Sequence, residues 1–229
     1  MKYLGVPLIT TKLKKVDCDE LLRKISARIT SWNSRFLSYA GRIQLIHSVL
    51  YGIQCYWSSM FILPKSVLKE MEQMMNRFLW NGDVTKSHGI KVAWDKVCTP
   101  KKNGGLGFKR LTELNIVLNM RHIWNILSVN TQSLWVKWVH IYLLKNLSFW
   151  TTKPPTLCSW YWRKLLKMRP TIRPLIKNKI GNGDHTFIWH DNWHPKGPLA
   201  LAYGDSVIYD TGIPSHAKVK SIINGNTWD

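Results

Sequence analysis

Ten residues in the middle of the chain combine the groups that bind phosphate. Residues 101–110 read KKNGGLGFKR. The cations of this segment are Lys101, Lys102, Lys109 and Arg110. Because Gly104 and Gly105 have no side chain, backbone amides there can approach a phosphate closely while the cations neutralise it. The segment is not a P-loop, since the order GxxxxGK[ST] is absent. Phosphate contact and a flexible turn with solvated charges both remain open.

Aromatic and basic residues alternate in two later segments, which read SLWVKWVHIY and WYWRKLLKMR. Such a mixture can stack nucleic-acid bases on the rings while the cations hold the backbone. The helical spacing of the apolar residues favours burial of most of these rings instead. The stripe predicted to face inward in the first segment is Leu134, Trp135, Trp138, Ile141 and Tyr142.

The segment HDNWH offers three side chains that can bind a metal ion, His190, Asp191 and His194. Nothing in their spacing fixes a ligand geometry, and the neighbouring Trp189 and Trp193 are typical core residues. Metal-dependent phosphoryl transfer needs clustered carboxylates, and the chain has no Asp-Asp pair and no acidic cluster in a strand-turn context. Asp17, Asp19 and Glu20 are better explained as charges at a helix N-terminus. We therefore predict no metal, no cofactor and no small-molecule substrate, and a chain that is not an enzyme by itself.

The charge balance restricts the class of partner. The 229 residues include 33 Lys and Arg against 13 Asp and Glu, a net charge of +20. A polyanion or an acidic partner would offset the self-repulsion of this charge. Residues 1–175 carry the excess, since no carboxylate side chain lies between Glu113 and Asp184. Nucleic acid is the leading partner class, and an anionic membrane surface is the second.

No apolar run reaches the ~18 residues that a membrane span needs. The first residues, MKYLGVPLITTKLKK, lack a small-residue cleavage site. We expect no membrane partner and a location in the nucleus or the cytoplasm.

Helical periodicity dominates the chain and predicts a mainly α fold. Ser38 is a plausible helix cap, and an apolar stripe follows it until Pro64; this geometry places Arg42 in the first turn, exposed. A third helix ends at Asn81-Gly82. After Glu113 the helical period returns with a stripe predicted to face inward: Leu114, Val117, Leu118, Trp124 and Leu127.

Two segments lose this period. Residues 83–110 mix short extended pieces with the basic, glycine-rich loop, and residues around Gly181-Asn182-Gly183-Asp184 have the composition of a β-hairpin turn. The predicted segments are a basic helical bundle (1–82), a basic glycine-rich connector (83–110), a Trp-rich helical segment (111–175) and a small β-hairpin and loop appendage (176–229).

The order of several blocks resembles the C-terminal part of the reverse transcriptase polyprotein of plant non-LTR, LINE-type retrotransposons. The blocks are KYLGVPL, ISARITSWNSRFLSYAGRIQLIHSVL, RFLWNG, VAWDKVCTPKKNGGLGF, SLWVKWVHIYLLK, SWYWRKLL, IGNGDHTFIWHDNWHPKGPL and VIYDTGIP. The resemblance implies that residues 1–82 form or adjoin the thumb, with Arg35 and Arg42 facing the template-primer backbone. It also implies that the palm, with its paired catalytic aspartates, and the zinc-binding domain are missing, so that the chain is a truncated fragment.

The sequence thus predicts a non-catalytic fragment that binds RNA or an RNA/DNA hybrid without sequence preference. The residues predicted to contact nucleic acid are Arg35, Arg42, Lys101, Lys102, Gly104, Gly105, Lys109 and Arg110. The alternative is an inert or domesticated remnant whose helices serve as a protein-interaction module and whose charge is unused. Binding to a membrane surface through basic helices is a third, weaker possibility, because the aromatics are predicted to be buried and no lipidation motif is present.

Overall fold

Helices make up most of the secondary structure, which confirms the mainly α prediction. The computed structural model describes residues 2–32, 37–83, 89–128, 132–224 and 227–228. Its α-helices are α1 (Asp19–Ser31), α2 (Tyr39–Leu45), α3 (Tyr51–Ser58), α4 (Lys65–Asn81), α5 (Trp94–Val97), α6 (Leu111–Leu127), α7 (Leu134–Trp138), α8 (Trp160–Lys167), α9 (Arg169–Ile172), α10 (Leu199–Tyr203) and α11 (Ser206–Asp210). None of the helices in these ranges is both long and apolar enough to cross a membrane.

Short antiparallel ribbons and π-helical turns complete the architecture. The strands β1 (Lys2–Tyr3) and β2 (Val6–Pro7) pair with each other, as do β3 (Ile223–Asn224) and β4 (Thr227–Trp228). A π-helical turn at Ile46–Leu50 joins α2 to α3, and another at Val139–Leu144 extends α7. A π turn inserts one residue into the helical repeat and so rotates the faces of the helix on either side of it.

The chain divides into two compact units, Met1–Arg121 and His122–Asp229. Helices α1, α3 and α4 build the core of the first unit around fully buried side chains. The largest of these are Trp57, Phe78, Leu21, Ile25, Ile29, Met71, Met75 and Leu79. A smaller cluster in the second unit is built from Ile188, Trp189, Ala200 and Val219. The four segments defined from composition remain a prediction.

Local sequence signals set several helix ends as predicted. The Ser38 hydroxyl accepts a hydrogen bond from the Gly41 amide at 3.1 Å, which caps α2. Pro64 stands at the N-cap of α4. Gly82 ends α4 with φ +72°, a left-handed conformation that glycine adopts without steric cost. The cap interactions that depend on neighbouring residues were therefore visible in the sequence.

The buried face of α6 differs from the predicted stripe. Val117 and Trp124, both predicted inside, are 60% and 54% exposed. Asn115 and Asn119 are buried in their place. Their side chains reach the backbone at the end of α3 and after it: Asn115 Oδ1 accepts from the Leu63 amide at 3.1 Å, and Asn119 Nδ2 donates to the Ser58 carbonyl at 3.1 Å. Two polar residues thus define the inward face, because they satisfy backbone groups that the end of a helix leaves unpaired.

Replacing Asn115 with alanine is expected to lower the free energy of unfolding by about 1–3 kcal/mol, because the buried Leu63 amide would lose its acceptor. The Phe61 carbonyl, which accepts from Asn115 Nδ2 at 2.8 Å, would lose a donor as well. Urea denaturation followed by circular dichroism measures the change. Val117→Ala, on the exposed side of the same helix, is the matched control and is expected to change stability by less than about 0.5 kcal/mol. Equal losses for the two variants would contradict the assigned face.

The predicted β-hairpin around Gly181 is wrong. Residues 183–188 pair with residues 217–220 instead of folding back on themselves: the Val219 amide donates to the Thr186 carbonyl at 2.8 Å and the Ile188 amide to the Ala217 carbonyl at 3.1 Å. Gly183 has φ +75°, and a Cβ there would lie 2.5 Å from the Lys220 amide nitrogen. Gly183 therefore permits this close approach. In residues 83–110, where short extended pieces are predicted, residues 84–88 lie outside the described residues, residues 89–93 form no strand, and α5 starts at Trp94.

Candidate nucleic-acid interface

The basic connector folds into a tight loop that uses its own backbone amides. The amides of Gly104 and Gly105 donate to the carbonyls of Lys101 and Pro100 at 3.1 and 3.3 Å, and the Gly107 amide donates to Thr99 at 3.0 Å. An amide bonded inside the loop cannot also cradle a phosphate. The structure therefore gives Gly104 and Gly105 a conformational role in place of the predicted phosphate contact.

Two glycines are required by the geometry of this loop. Gly104 adopts φ +83°, the left-handed region that side chains with a Cβ disfavour. At Gly105 an added Cβ would lie 2.0 Å from the carbonyl oxygen of Thr99, far inside van der Waals contact. The loop can close only where the side chain is absent.

An aromatic stack fixes the end of the loop against the first unit's helices. The ring centroid of buried Phe108 lies 4.4 Å from that of His47 and 5.3 Å from that of Trp94. The Tyr51 hydroxyl donates to the Lys109 carbonyl at 2.6 Å. Burial lowers the pKa of His47, and the nearby charge of Lys101 lowers it further. Lys101 and Lys109 therefore project from a backbone that is held in place.

Arg110 is engaged by acidic residues of its own unit. Its Nη1 atom lies 2.9 Å from Asp95 Oδ1, and its Nε atom lies 3.8 Å from Glu72 Oε1. Glu72 also accepts from the Leu111 amide at 2.9 Å, and burial raises the pKa of its carboxyl. A phosphate at Arg110 would compete with these contacts, so the structure assigns this arginine a role in positioning the start of α6.

Arg42 is partly buried, so the predicted exposure of this arginine is wrong. Its Nη1 atom donates to the carbonyls of Trp80 and Leu79 at 3.2 and 3.4 Å, at the C-terminal end of α4. A cation at that end satisfies free carbonyls and interacts favourably with the helix dipole. Arg42 thus joins α2 to α4. Arg35, the other arginine predicted to face a nucleic-acid backbone, lies outside the described residues.

Of the connector cations that were predicted to contact nucleic acid, Lys101, Lys102 and Lys109 are exposed. In the part of the chain that the structure describes, none of the three forms an ion pair with an acidic side chain. A lysine ammonium is a point charge on a flexible stem, suited to phosphate oxygens in many orientations. These residues can neutralise a nucleic-acid backbone, but they have no fixed geometry with which to read bases.

His190 and Asp191 have structural partners. Asp191 accepts from Trp150 Nε1 at 2.9 Å and from the Phe187 amide at 2.8 Å, and His190 Nε2 lies 3.2 Å from Ser215 Oγ. Within the described residues, no group of three His, Cys, Asp or Glu side chains could hold a metal ion. The geometry of this segment is that of a small core, in which Trp189 is buried as predicted.

Sequence reasoning missed an exposed aromatic pair on α7 and its π turn. Trp138 and Tyr142 were predicted to face inward, but they are 47% and 59% exposed, and Val136, Val139 and Leu144 are buried instead. Both faces of this segment carry apolar residues, so apolar spacing alone does not identify the face that meets the core. The mixture of aromatic and basic residues in this segment could have indicated exposed rings. The helical spacing of the apolar residues was given more weight, and it predicted that the rings are buried.

Comparisons with known proteins place the chain among plant sequences. It is 30% identical over 199 residues to a protein of Arabidopsis thaliana that carries the provisional name of a ribonuclease H protein; the match covers 85% of this chain and 32% of that relative. It is 29% identical over 143 residues to an uncharacterized mitochondrial protein of the same plant, covering 62% of this chain and 92% of the relative. The chain is related to these plant proteins. It spans about a third of the length of the first one.

No family model and no solved structure matches the chain. A functional proposal therefore rests on the similarity to the two Arabidopsis proteins and on the geometry described above.

Proposed function

We propose that this chain is a segment of a plant retrotransposon polymerase, of the non-LTR reverse transcriptase type, that binds the backbone of RNA or of an RNA/DNA hybrid and carries out no chemistry itself. The observation that carries the proposal is the set of exposed lysines, Lys101, Lys102 and Lys109, on a loop that internal hydrogen bonds and an aromatic stack hold rigid. A rigid loop presents its charges without a large ordering cost on binding.

The similarity to plant proteins supports the choice of ligand. A ribonuclease H acts on the RNA strand of an RNA/DNA hybrid, so the name of the first relative agrees with a nucleic-acid partner. The block order that resembles a LINE-type reverse transcriptase supports the same class of ligand. The net charge of +20 supplies the attraction that sequence-independent binding requires.

The contacts of the acidic residues support a binding role over a catalytic one. Glu72 and Asp95 lie against Arg110, Asp184 pairs with Lys220 at 2.8 Å, and Asp191 binds two donors in a core. Each of these carboxylates therefore has a contact that serves the fold. In this proposal, phosphoryl or nucleotidyl transfer belongs to a separate palm domain.

Removing the connector lysines is expected to weaken binding and to reduce its salt dependence. Each cation that neutralises one phosphate contributes about 0.9 to the slope of log affinity against log salt on a duplex. The triple variant Lys101→Ala, Lys102→Ala, Lys109→Ala should therefore reduce the slope by about 3, equally for unrelated sequences. Filter-binding titrations of an RNA/DNA hybrid at several salt concentrations measure it.

The matched control is the double variant Lys218→Ala, Lys220→Ala. Lys220 is paired with Asp184, and Lys218 lies over the Phe187 ring with 5.9 Å between its ammonium and the centroid. We expect a slope close to that of the wild type. A slope that falls as much per lysine in the control as in the connector would contradict the assigned interface. Absence of binding at low salt would favour the protein-interaction module instead.

A further inference from the structure

The second unit exposes an apolar face along α7 and its π turn. The residues of this face and their exposed fractions are Leu134 81%, Trp138 47%, Ile141 64% and Tyr142 59%. The opposite side of the same helix is anchored by Val136, Val139 and Leu144, all of them buried. The helix is therefore already packed, and the outward face has no role in holding it.

Two aromatic rings are neighbours on this face. The centroids of Trp138 and Tyr142 are 5.8 Å apart, with 33° between the ring planes. Both rings belong to a helix whose buried side fixes their backbone, so a flat ligand can stack on them at low entropic cost. Nucleobases are such ligands, and every base has a π-face whatever its sequence.

The charges around the rings favour a polyanion over a protein or a lipid surface. Lys137 and Lys145, before and after the ring pair in the sequence, are exposed. No acidic residue occurs between Glu113 and Asp184. A strand whose bases stack on the rings carries its phosphates a short distance away, where lysine side chains can reach them.

We propose that Trp138 and Tyr142 form a stacking platform for a single-stranded nucleic acid, with Lys137 and Lys145 neutralising its phosphates. The proposal shares the ligand class of the proposed function, but it uses residues outside the connector. It names a single strand because the bases of a duplex are stacked on each other and do not present their faces to a side chain. The platform therefore requires an unpaired strand, whereas the connector requires only a phosphate backbone.

The test is the affinity of the full chain for a fluorescein-labelled twelve-residue oligouridine at fixed salt. Trp138→Ala is expected to weaken binding about 5- to 150-fold, the range for loss of one base-stacking contact. Trp138→Leu should lose affinity similarly, because it keeps apolar volume without a flat ring, whereas Trp138→Phe should retain most of it. Leu134→Ala, on the same face, is the matched control and should bind as the wild type does.

Two further ligands test whether the bases themselves make the contact with Trp138. A blunt RNA duplex and an abasic oligomer of equal length should bind the wild type and Trp138→Ala within about twofold of each other, since neither offers a base to stack. Thermal melting of each variant verifies its fold, and the Phe and Leu variants preserve the test where alanine destabilises the helix.

Three outcomes would overturn the platform. The first is an unchanged affinity of Trp138→Ala for oligouridine. The second is a loss of affinity for Leu134→Ala equal to that for Trp138→Ala, which would indicate a general apolar docking surface. The third is that Trp138→Ala loses as much affinity for the abasic oligomer as for oligouridine. Failure of the proposed function has a separate signature, because it concerns the salt slope of hybrid binding in the connector variants. Either proposal can fail while the other stands.

Discussion

Replacing Gly105 with alanine is expected to lower the free energy of unfolding of the first unit by about 3 kcal/mol. The new Cβ would lie 2.0 Å from the Thr99 carbonyl oxygen and 2.6 Å from its carbonyl carbon. These are backbone atoms, so no side-chain rotation relieves the contact. The Thr99 carbonyl also accepts from the Gly107 amide at 3.0 Å, so moving it breaks the hydrogen bonds that close the loop.

The consequence reaches the proposed interface, because the loop positions both the aromatic stack and the lysines. Displacing Thr99 shifts Gly107 and hence Phe108, whose ring packs on His47 at 4.4 Å. Gly105→Ala should therefore reduce affinity for an RNA/DNA hybrid although it removes no charge. Urea denaturation followed by circular dichroism gives the stability, and filter binding gives the affinity.

Two other glycines of the same unit supply graded controls. Gly104→Ala meets no atom within 4 Å but must adopt φ +83°, so about 1–2 kcal/mol of backbone strain is expected. Gly52→Ala, inside α3 with open space around it, should raise stability by about 0.5–1 kcal/mol. A loss for Gly105→Ala no greater than that for Gly104→Ala would contradict the steric argument.

The sequence predicted what depends on near neighbours along the chain. The caps at Ser38 and Gly82 follow from residue types that bond or turn within a few positions. The mainly α class follows from the periodicity of the apolar residues. These features need no knowledge of which distant segments meet.

The sequence did not predict which faces of α6 and α7 are buried. On α6 the buried Asn115 and Asn119 count as polar in any hydrophobic pattern, and their hydrogen bonds to the backbone at the end of α3 and after it explain their burial. On α7 and its π turn both faces carry apolar residues, and the face with Trp138 and Tyr142 is the exposed one. A hydrophobic pattern cannot identify the partner that makes a polar residue a core residue.

The same limit applies to the candidate site. The lysines of the connector were identified from their density, and the structure describes them as exposed. Arg110 was selected by the same criterion, and Arg42 from its helix position and the resemblance. Yet Arg42 bonds carbonyls 37 and 38 positions away along the chain, and Arg110 meets Glu72. A charge is available to a ligand only where the fold has not already used it, and that depends on long-range contacts.

Removing Asp191 is expected to destabilise the second unit by about 2–4 kcal/mol, because Asp191→Ala leaves Trp150 Nε1 and the Phe187 amide without an acceptor. The effect depends on pH in a direction set by burial. Burial raises the pKa of the Asp191 carboxyl from its ordinary 3.8 to about 6, against the opposing influence of its two hydrogen bonds and of Arg173. His185 and Lys218 line the same cavity as this carboxyl.

The sign follows from proton linkage. Between pH 3.8 and about 6 the folded state binds a proton at Asp191 that the unfolded state has released. The stability that this residue contributes is therefore greatest below pH 3.8 and falls as the pH rises through about 6. The separation of the two pKa values corresponds to about 3 kcal/mol. The loss caused by Asp191→Ala should accordingly be larger at pH 4.5 than at pH 7.

Denaturation midpoints of the wild type and the variant, compared at several pH values from 4 to 8, test this directly. The difference in stability between the two proteins cancels the contributions of ionisable groups that both contain. His190, whose pKa is lowered by burial, is one such group. Asp184→Ala gives the opposite sign, because the hydrogen bond from Lys220 lowers the pKa of Asp184, and its contribution is lost as the pH falls. If the loss caused by Asp191→Ala instead grew as the pH rose from 5 to 7, the buried carboxylate would be favourable. The charge would then be stabilised by Arg173 more than burial penalises it, and the HDNWH segment would have to be reconsidered as a site organised around that negative charge.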